Sequence, residues 1–113
     1  MAQNDSYRAS YVRQKATKGE IEFREHAMEN MGIRQIWMDD VLEAIASGKE
    51  IESQTFEDKD VRVLFQESTC DMPRFAVVVA ADHPNVQVLT VFRFADDNKY
   101  EYVEKQNCWR RKK

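Results

Sequence analysis

Apolar residues recur every three to four positions over two adjoining stretches and every second position over several later ones, which divides the chain into helices followed by strands. Phe23, Ala27 and Met31 fall four apart with Met28 beside them, while Arg24, Glu25, Glu29 and Asn30 face away, so a short helix is expected here. Gly32 breaks it. A second helix is expected at once: Trp37, Val41, Leu42, Ala44 and Ile45 share one side, and Asp39 and Asp40 occupy the first turn, where the helix dipole favours acids. Gly48 stands just past its end. The tight turn between the two helices leaves His26 and Arg34 near helix ends. Before this pair, Tyr7 and Tyr11 lie four apart among helix formers and basic residues, which reads as a helix over 6–17 or a loosely attached arm. Lys18-Gly19 ends it, and Glu20-Ile21-Glu22-Phe23 alternates, as a short strand or as the lead-in to the helix pair.

The second half has strand periodicity. Residues 50–56 alternate weakly and 57–60 read as a turn by composition. Val61, Val63 and Phe65 face one way, residues 66–73 form a loop, and Phe75 to Ala81 is a continuous apolar run of the kind found in a central strand. Asp82-His83-Pro84-Asn85 turns the chain into a last β-rich run, Val86 to Phe94. Short connections predict an antiparallel meander. The expected fold is α+β, a two-helix layer packed on a twisted antiparallel sheet of about four strands. Ala27, Met31, Trp37, Val41, Leu42 and Ile45 would meet Val63, Phe65, Val77, Val79, Val88 and Phe92 in the core. The chain then divides into an N-terminal helix or arm (1–20), one domain (21–98) and a basic C-terminal tail (99–113), the tail being a further strand, a helix or an ordered arm.

With 113 residues, the chain has room for one modest core. No apolar run reaches the roughly 20 residues of a membrane-spanning helix. The first ten residues are polar and carry no signal-peptide core, so a cytoplasmic protein without a membrane partner is expected. Cys70 and Cys108 are too few for a disulfide framework, and Cys70, His83, Cys108 and His26 lack the close spacing of metal ligands, so no metal or other cofactor is expected. The net charge of −3 conceals a segregation. Residues 25–60 carry ten acidic and three basic side chains, whereas residues 99–113 carry two acidic and six basic, ending in Trp109-Arg110-Arg111-Lys112-Lys113. Only the basic termini, joined by Arg62, Arg74 and Arg93 if the fold brings them together, would offer a footprint for phosphates. The chain has no P-loop, dinucleotide-binding glycine turn, nucleophile elbow or His-Glu-x-x-His helix.

His26-Ala27, Met31, Arg34, Ile36, Asp40-Val41, Gly48-Lys49-Glu50-Ile51 and the closing Leu89-Thr90-Val91-Phe92 have an order and spacing that resemble an uncharacterised bacterial domain family. That family is similar in element order to the RelE/ParE and BrnT toxin group, several of which cleave RNA without a metal. Three positions depart from its pattern: Asn30 where a basic residue is common, Gln35 where glycine is common, and Trp37 where a small capping residue is expected.

The resemblance implies a toxin-like ribonuclease with RNA as a partner and an antitoxin or other protein restraining it. Such cleavage needs a base for the 2′-hydroxyl, an acid for the leaving oxygen and cations for the developing charge. His26, Arg34, Arg62 and Arg93 are the catalytic candidates, and Arg74, Arg110, Arg111, Lys112 and Lys113 the nucleic-acid-binding ones. Thr90 and Tyr102 are weaker candidates for hydrogen bonding, and His83 reads as a turn residue. Each reading has a plainer counterpart: His26 as a helix-start histidine bonded to backbone or a carboxylate, Arg34 paired with Asp39 or Glu29, and the strand arginines as solubilising residues. The alternative function is a non-catalytic inhibitor or adaptor, for instance of a phage or mobile element, using its acidic helices or basic termini.

Overall fold

The structure, a computed structural model, describes residues 6–55, 61–81 and 85–113. His83 and the acidic turn at 57–60 lie outside the described residues. Helix α1 (Tyr7–Thr17) is capped by Ser6, whose hydroxyl accepts from the Ala9 N–H at 3.1 Å. The Glu50 carboxylate anchors this cap, accepting from the Ser6 N–H at 2.9 Å and its hydroxyl at 2.7 Å. Ala9 and Val12 are fully buried, and the Arg13 guanidinium lies 4.9 Å from the Phe65 ring centre and donates to the Ile45 carbonyl. Of the two readings of this segment, the helix is the one formed, and it packs as a third helix beside the expected pair.

Strand β1 (Ile21–Phe23) leads into helix α2 (Glu25–Arg34), a turn at Gln35–Trp37 and helix α3 (Met38–Ser47). Strands β2 (Glu50–Thr55), β3 (Val61–Gln66), β4 (Phe75–Ala80) and β5 (Val86–Arg93) follow, then the hairpin β6 (Tyr100–Val103) and β7 (Cys108–Arg111). The main sheet has five strands in the order β1-β5-β4-β3-β2. It is mixed: β2 to β5 form the expected antiparallel meander, and β1 adds in parallel to β5, pairing Ile21 with Val86 and Phe23 with Val88. This corrects the expectation of about four antiparallel strands: segment 21–23, open between a short strand and the lead-in to the helix pair, is a fifth strand and pairs in parallel.

The helices cover one face, where Ala27, Met31, Val41, Ala44 and Ile45 meet Val63, Phe65, Val77, Val79, Val88 and Val91. Three core assignments change. Trp37 is 74% exposed because it is the N-cap of α3 and not part of its apolar stripe. Leu42 is only partly buried. Phe92 belongs to the opposite face: β4 advances one residue from Val78 to Val79 while β5 advances two from Thr90 to Val88, and this bulge reverses the alternation of β5. Gly48 is required by closeness, since a Cβ there would lie 1.9 Å from the Gln66 carbonyl oxygen.

The hairpin packs on that opposite face, where Tyr100 and Cys108 join Ile51, Leu64, Ala76 and Phe94 in a second cluster. Trp109 stacks flat on Phe94, 4.3 Å between centroids and 6° from parallel, and its indole N–H donates to the Pro73 carbonyl at 2.8 Å. Gln66, 2% exposed, acts as a surrogate strand edge: its Nε2 donates to the Asn107 carbonyl at 2.8 Å and its Oε1 accepts from the Trp109 N–H at 2.9 Å. The tail is thus a third layer over part of the sheet. Among the described residues, no helix is long and apolar enough to cross a membrane.

Candidate functional site

His26, Asn30 and Arg34 are spaced four apart along α2 and therefore share one face of it. The Asn30 carboxamide joins them. Its Oδ1 accepts a short hydrogen bond from Arg34 Nη1, and its Nδ2 lies 3.0 Å from His26 Nε2, 2.9 Å from the His26 carbonyl and 3.3 Å from Thr90 Oγ1. A guanidinium only donates and a backbone carbonyl only accepts, so the amide orientation is fixed with Nδ2 toward His26. When the amide donates to His26 Nε2, that nitrogen accepts and the ring hydrogen lies on Nδ1. The imidazole and the guanidinium, rooted two helical turns apart, meet across one amide group.

Arg34 also belongs to a cleft that His26, Asn30 and Thr90 do not line, bounded by the end of strand β5 and the turn after it. Arg93 Nη2 donates to the Arg34 carbonyl, satisfying an end of α2, and Arg34 Nε faces the Asp96 carboxylate at 3.7 Å, an ion pair too long for a hydrogen bond. Arg34, Arg74 and Arg93 line one cleft of about 490 Å³, floored by Ile36, Phe75 and Phe94 and edged by Asp40 and Met72. Arg74 is held by Glu67 of its own loop, at 2.6 and 3.1 Å. Burial pushes the Glu67 carboxyl up, but the side-chain and backbone bonds from Arg74 outweigh it and leave the group below the ordinary glutamate value. Each of the three guanidinium groups thus has a partner within the fold: Glu67 for Arg74, Asn30 and Asp96 for Arg34, and the Arg34 carbonyl for Arg93.

Not every candidate gathers there. Arg62, on β3, lines a separate groove of about 210 Å³ on the hairpin side of the sheet, together with Gln54, Thr90, Phe92, Lys99, Tyr100 and Arg111. Arg111 is engaged in the fold: it donates to Glu52 at 3.0 Å and to the Tyr100 hydroxyl at 3.0 Å, and lies 5.0 Å from the Tyr100 ring centre. Burial and the Glu52 carboxylate push the Tyr100 phenol up. Arg110 donates to the Ile51 carbonyl and to Gln106, and Lys112 pairs through its backbone with Lys99, while Lys113 is exposed. Tyr102 donates to Asn107 Oδ1. Cys108 is buried and Cys70 exposed, and among the described residues no group of three His, Cys, Asp or Glu side chains could hold a metal ion.

The domain-of-unknown-function model DUF4258 matches residues 23–93. The chain belongs to the DUF4258 family. No curated protein and no solved structure matches it. The DUF4258 span contains α2 to β5 and so His26, Asn30, Arg34, Thr90 and Arg93, whereas α1 and the hairpin lie outside it. Two members of the site escaped the sequence reading. Asn30 stands in the sequence only as a departure from the family's basic residue, and Asp96 carries no signal there. The i, i+4, i+8 spacing of His26, Asn30 and Arg34 was the available signal for the first.

Proposed function

We propose that this protein is a toxin-like ribonuclease that cleaves RNA by metal-independent attack of the ribose 2′-oxygen on the adjacent phosphorus. The observation that carries the reading is the oversubscribed Asn30 amide: two N–H hydrogens face three acceptors, His26 Nε2, the His26 carbonyl and Thr90 Oγ1. A substrate 2′-hydroxyl that donates to Nε2 in place of Asn30 leaves each amide hydrogen with one acceptor. Nε2 is thus the replaceable partner, held in the tautomer a general base needs. The base removes the 2′-proton, the 2′-oxygen bonds to phosphorus, and the 5′-oxygen leaves with a proton from solvent, giving a cyclic phosphate and a 5′-hydroxyl. Arg34 and Arg93 supply positive charge beside the phosphoryl oxygens, where charge develops. The order of two helices followed by an antiparallel meander on DUF4258 elements supports likeness to the RelE/ParE and BrnT group.

The test is cleavage of a defined RNA by the purified protein. His26→Ala should lower the rate by about 10²- to 10⁴-fold with the melting curve unchanged, and should abolish growth arrest on expression. No cleavage by the parent, or parental cleavage by His26→Ala, refutes the reading. A protein-binding role is favoured by one separate observation: Ile33 and Trp37, at the end of α2 and the start of α3, are 77% and 74% exposed, and the acidic first turn of α3 follows them. A restraining partner would cover these side chains, so Trp37→Asp should release a co-purifying protein if one is bound there.

A further inference from the structure

The sequence singled out Arg62 and the basic tail, and the arginine cleft uses neither. Arg62 and, from the tail, Lys99 and Arg111 line the groove of the hairpin-side sheet face, with Asp97 beside them and Glu52 paired to Arg111. Leu64, Val78 and Phe92 give this groove an apolar floor, and Phe92 is stacked on Tyr100 at 5.7 Å and 29°. A cationic rim over an apolar, partly aromatic floor suits a flat base carrying a phosphate.

The groove is also joined to the proposed catalytic face. Thr90 lines it and lies within 3.3 Å of the Asn30 amide, which bonds His26 and Arg34. The turn after β5 separates the two sites: Phe94 and Ala95 line the cleft, and Asp97 lines the groove.

Resting on the ribonuclease reading above, we propose that this groove holds the base and phosphate of the nucleotide next to the scissile one, which makes the substrate single-stranded RNA. A paired base is stacked within its duplex and cannot reach the floor, so the groove selects against double-stranded RNA. Phe92 supplies the stacking surface and the exposed Lys99 the charge, with Arg62 on the same rim. Arg111 shapes the rim while tied to Glu52.

The experiment is fluorescence anisotropy of a labelled 12-nucleotide RNA, single-stranded or annealed to its complement, with the His26→Ala protein so that cleavage does not intervene. The single strand should bind at least about tenfold more tightly than the duplex. Phe92→Leu, which keeps an apolar floor without an aromatic face, should weaken single-strand binding by about fivefold or more. Lys99→Glu changes an exposed side chain, so it tests the groove even if Phe92→Leu disturbs the aromatic cluster, and it should weaken binding and flatten its salt dependence. Equal affinity for the two RNAs, or parental single-strand affinity in both variants, overturns the proposal. If the parent cleaves RNA through His26 while these variants bind normally, only the groove assignment fails. If the oligonucleotide binds as described but the parent never cleaves, the groove stands and the catalytic reading fails.

Discussion

Replacing Gln66 with leucine tests how the hairpin is held. The side chains have similar volume, so Gln66→Leu opens little cavity in a site that is 2% exposed. What it removes is a pair of hydrogen bonds of 2.8 and 2.9 Å, leaving the Asn107 carbonyl and the Trp109 N–H without their partner. A buried group stripped of its partner costs about 1–3 kcal/mol, so the static sum is about 2–6 kcal/mol. Relief is available, because β7 can lift until water reaches both groups, at the expense of the Trp109–Phe94 stack and the indole bond to Pro73. The lower half of the range, about 3 kcal/mol, is therefore expected. Urea unfolding followed by circular dichroism measures the loss. Trp109 emission in a Trp37→Phe background reports whether β7 has lifted, and it should shift to the red. An unchanged midpoint with unchanged Trp109 emission would refute the argument that Gln66 serves as the hairpin's strand edge.

Further expectations concern the glycine contact, the interhelical turn and acid stability. Gly48→Ala should destabilise by about 3 kcal/mol in the same assay, because the added carbon meets the Gln66 backbone and not a flexible side chain. Gln35 sits at φ 56°, ψ 45°, so Gln35→Gly should stabilise by about 1 kcal/mol, read as a rise in Tm. Trp37 caps α3 with no side-chain bond, so Trp37→Asp should also stabilise by about 1 kcal/mol, whereas a buried tryptophan would make that change severely damaging. Burial raises the Glu52 carboxyl, but hydrogen bonds from Gln54, Tyr100 and Arg111 outweigh it and hold the group below its ordinary 4.5. Its contribution is present above that value and is lost as pH falls through the lower folded value, so Glu52→Gln should flatten the acid side of a plot of Tm against pH.

Amphipathic spacing made α2, α3 and the central strands legible, because burial on one face imposes its own period. It failed where local pattern and tertiary placement part company. Trp37 fits the stripe of α3 by spacing, but one residue outside the helix its side chain turns to solvent. Val88 and Phe92 share a parity, yet the bulge between them sends Phe92 to the other sheet face and puts Val91 in its place. In the tail, short alternating stretches left a strand, a helix and an arm equally open. Tyr100, Cys108 and Trp109 make it a hairpin, and Arg111 pairs with a glutamate of β2. At the candidate site, His26, Arg34 and Arg93 could be named from chemistry; helical spacing places the Asn30 amide between the first two, but its third contact, with Thr90 sixty residues later, is tertiary.

The parallel pairing of β1 with β5 bears on the order of folding. Ile21 must wait for Val86, sixty-five positions further along, and the chain between them has to be arranged before that contact holds. Strands β2 to β5 pair with one another only as sequence neighbours, so these pairings close small loops early, when the entropy lost is least. The β1 addition closes the longest loop of the main sheet and gains only a three-residue strand. It should therefore be the last sheet pairing to form and the first to open, with the amides of β1 exchanging with solvent ahead of those in β4. Since Arg24, the N-cap of α2, donates its backbone N–H to the Val88 carbonyl, each such opening would loosen the end of the helix that carries His26.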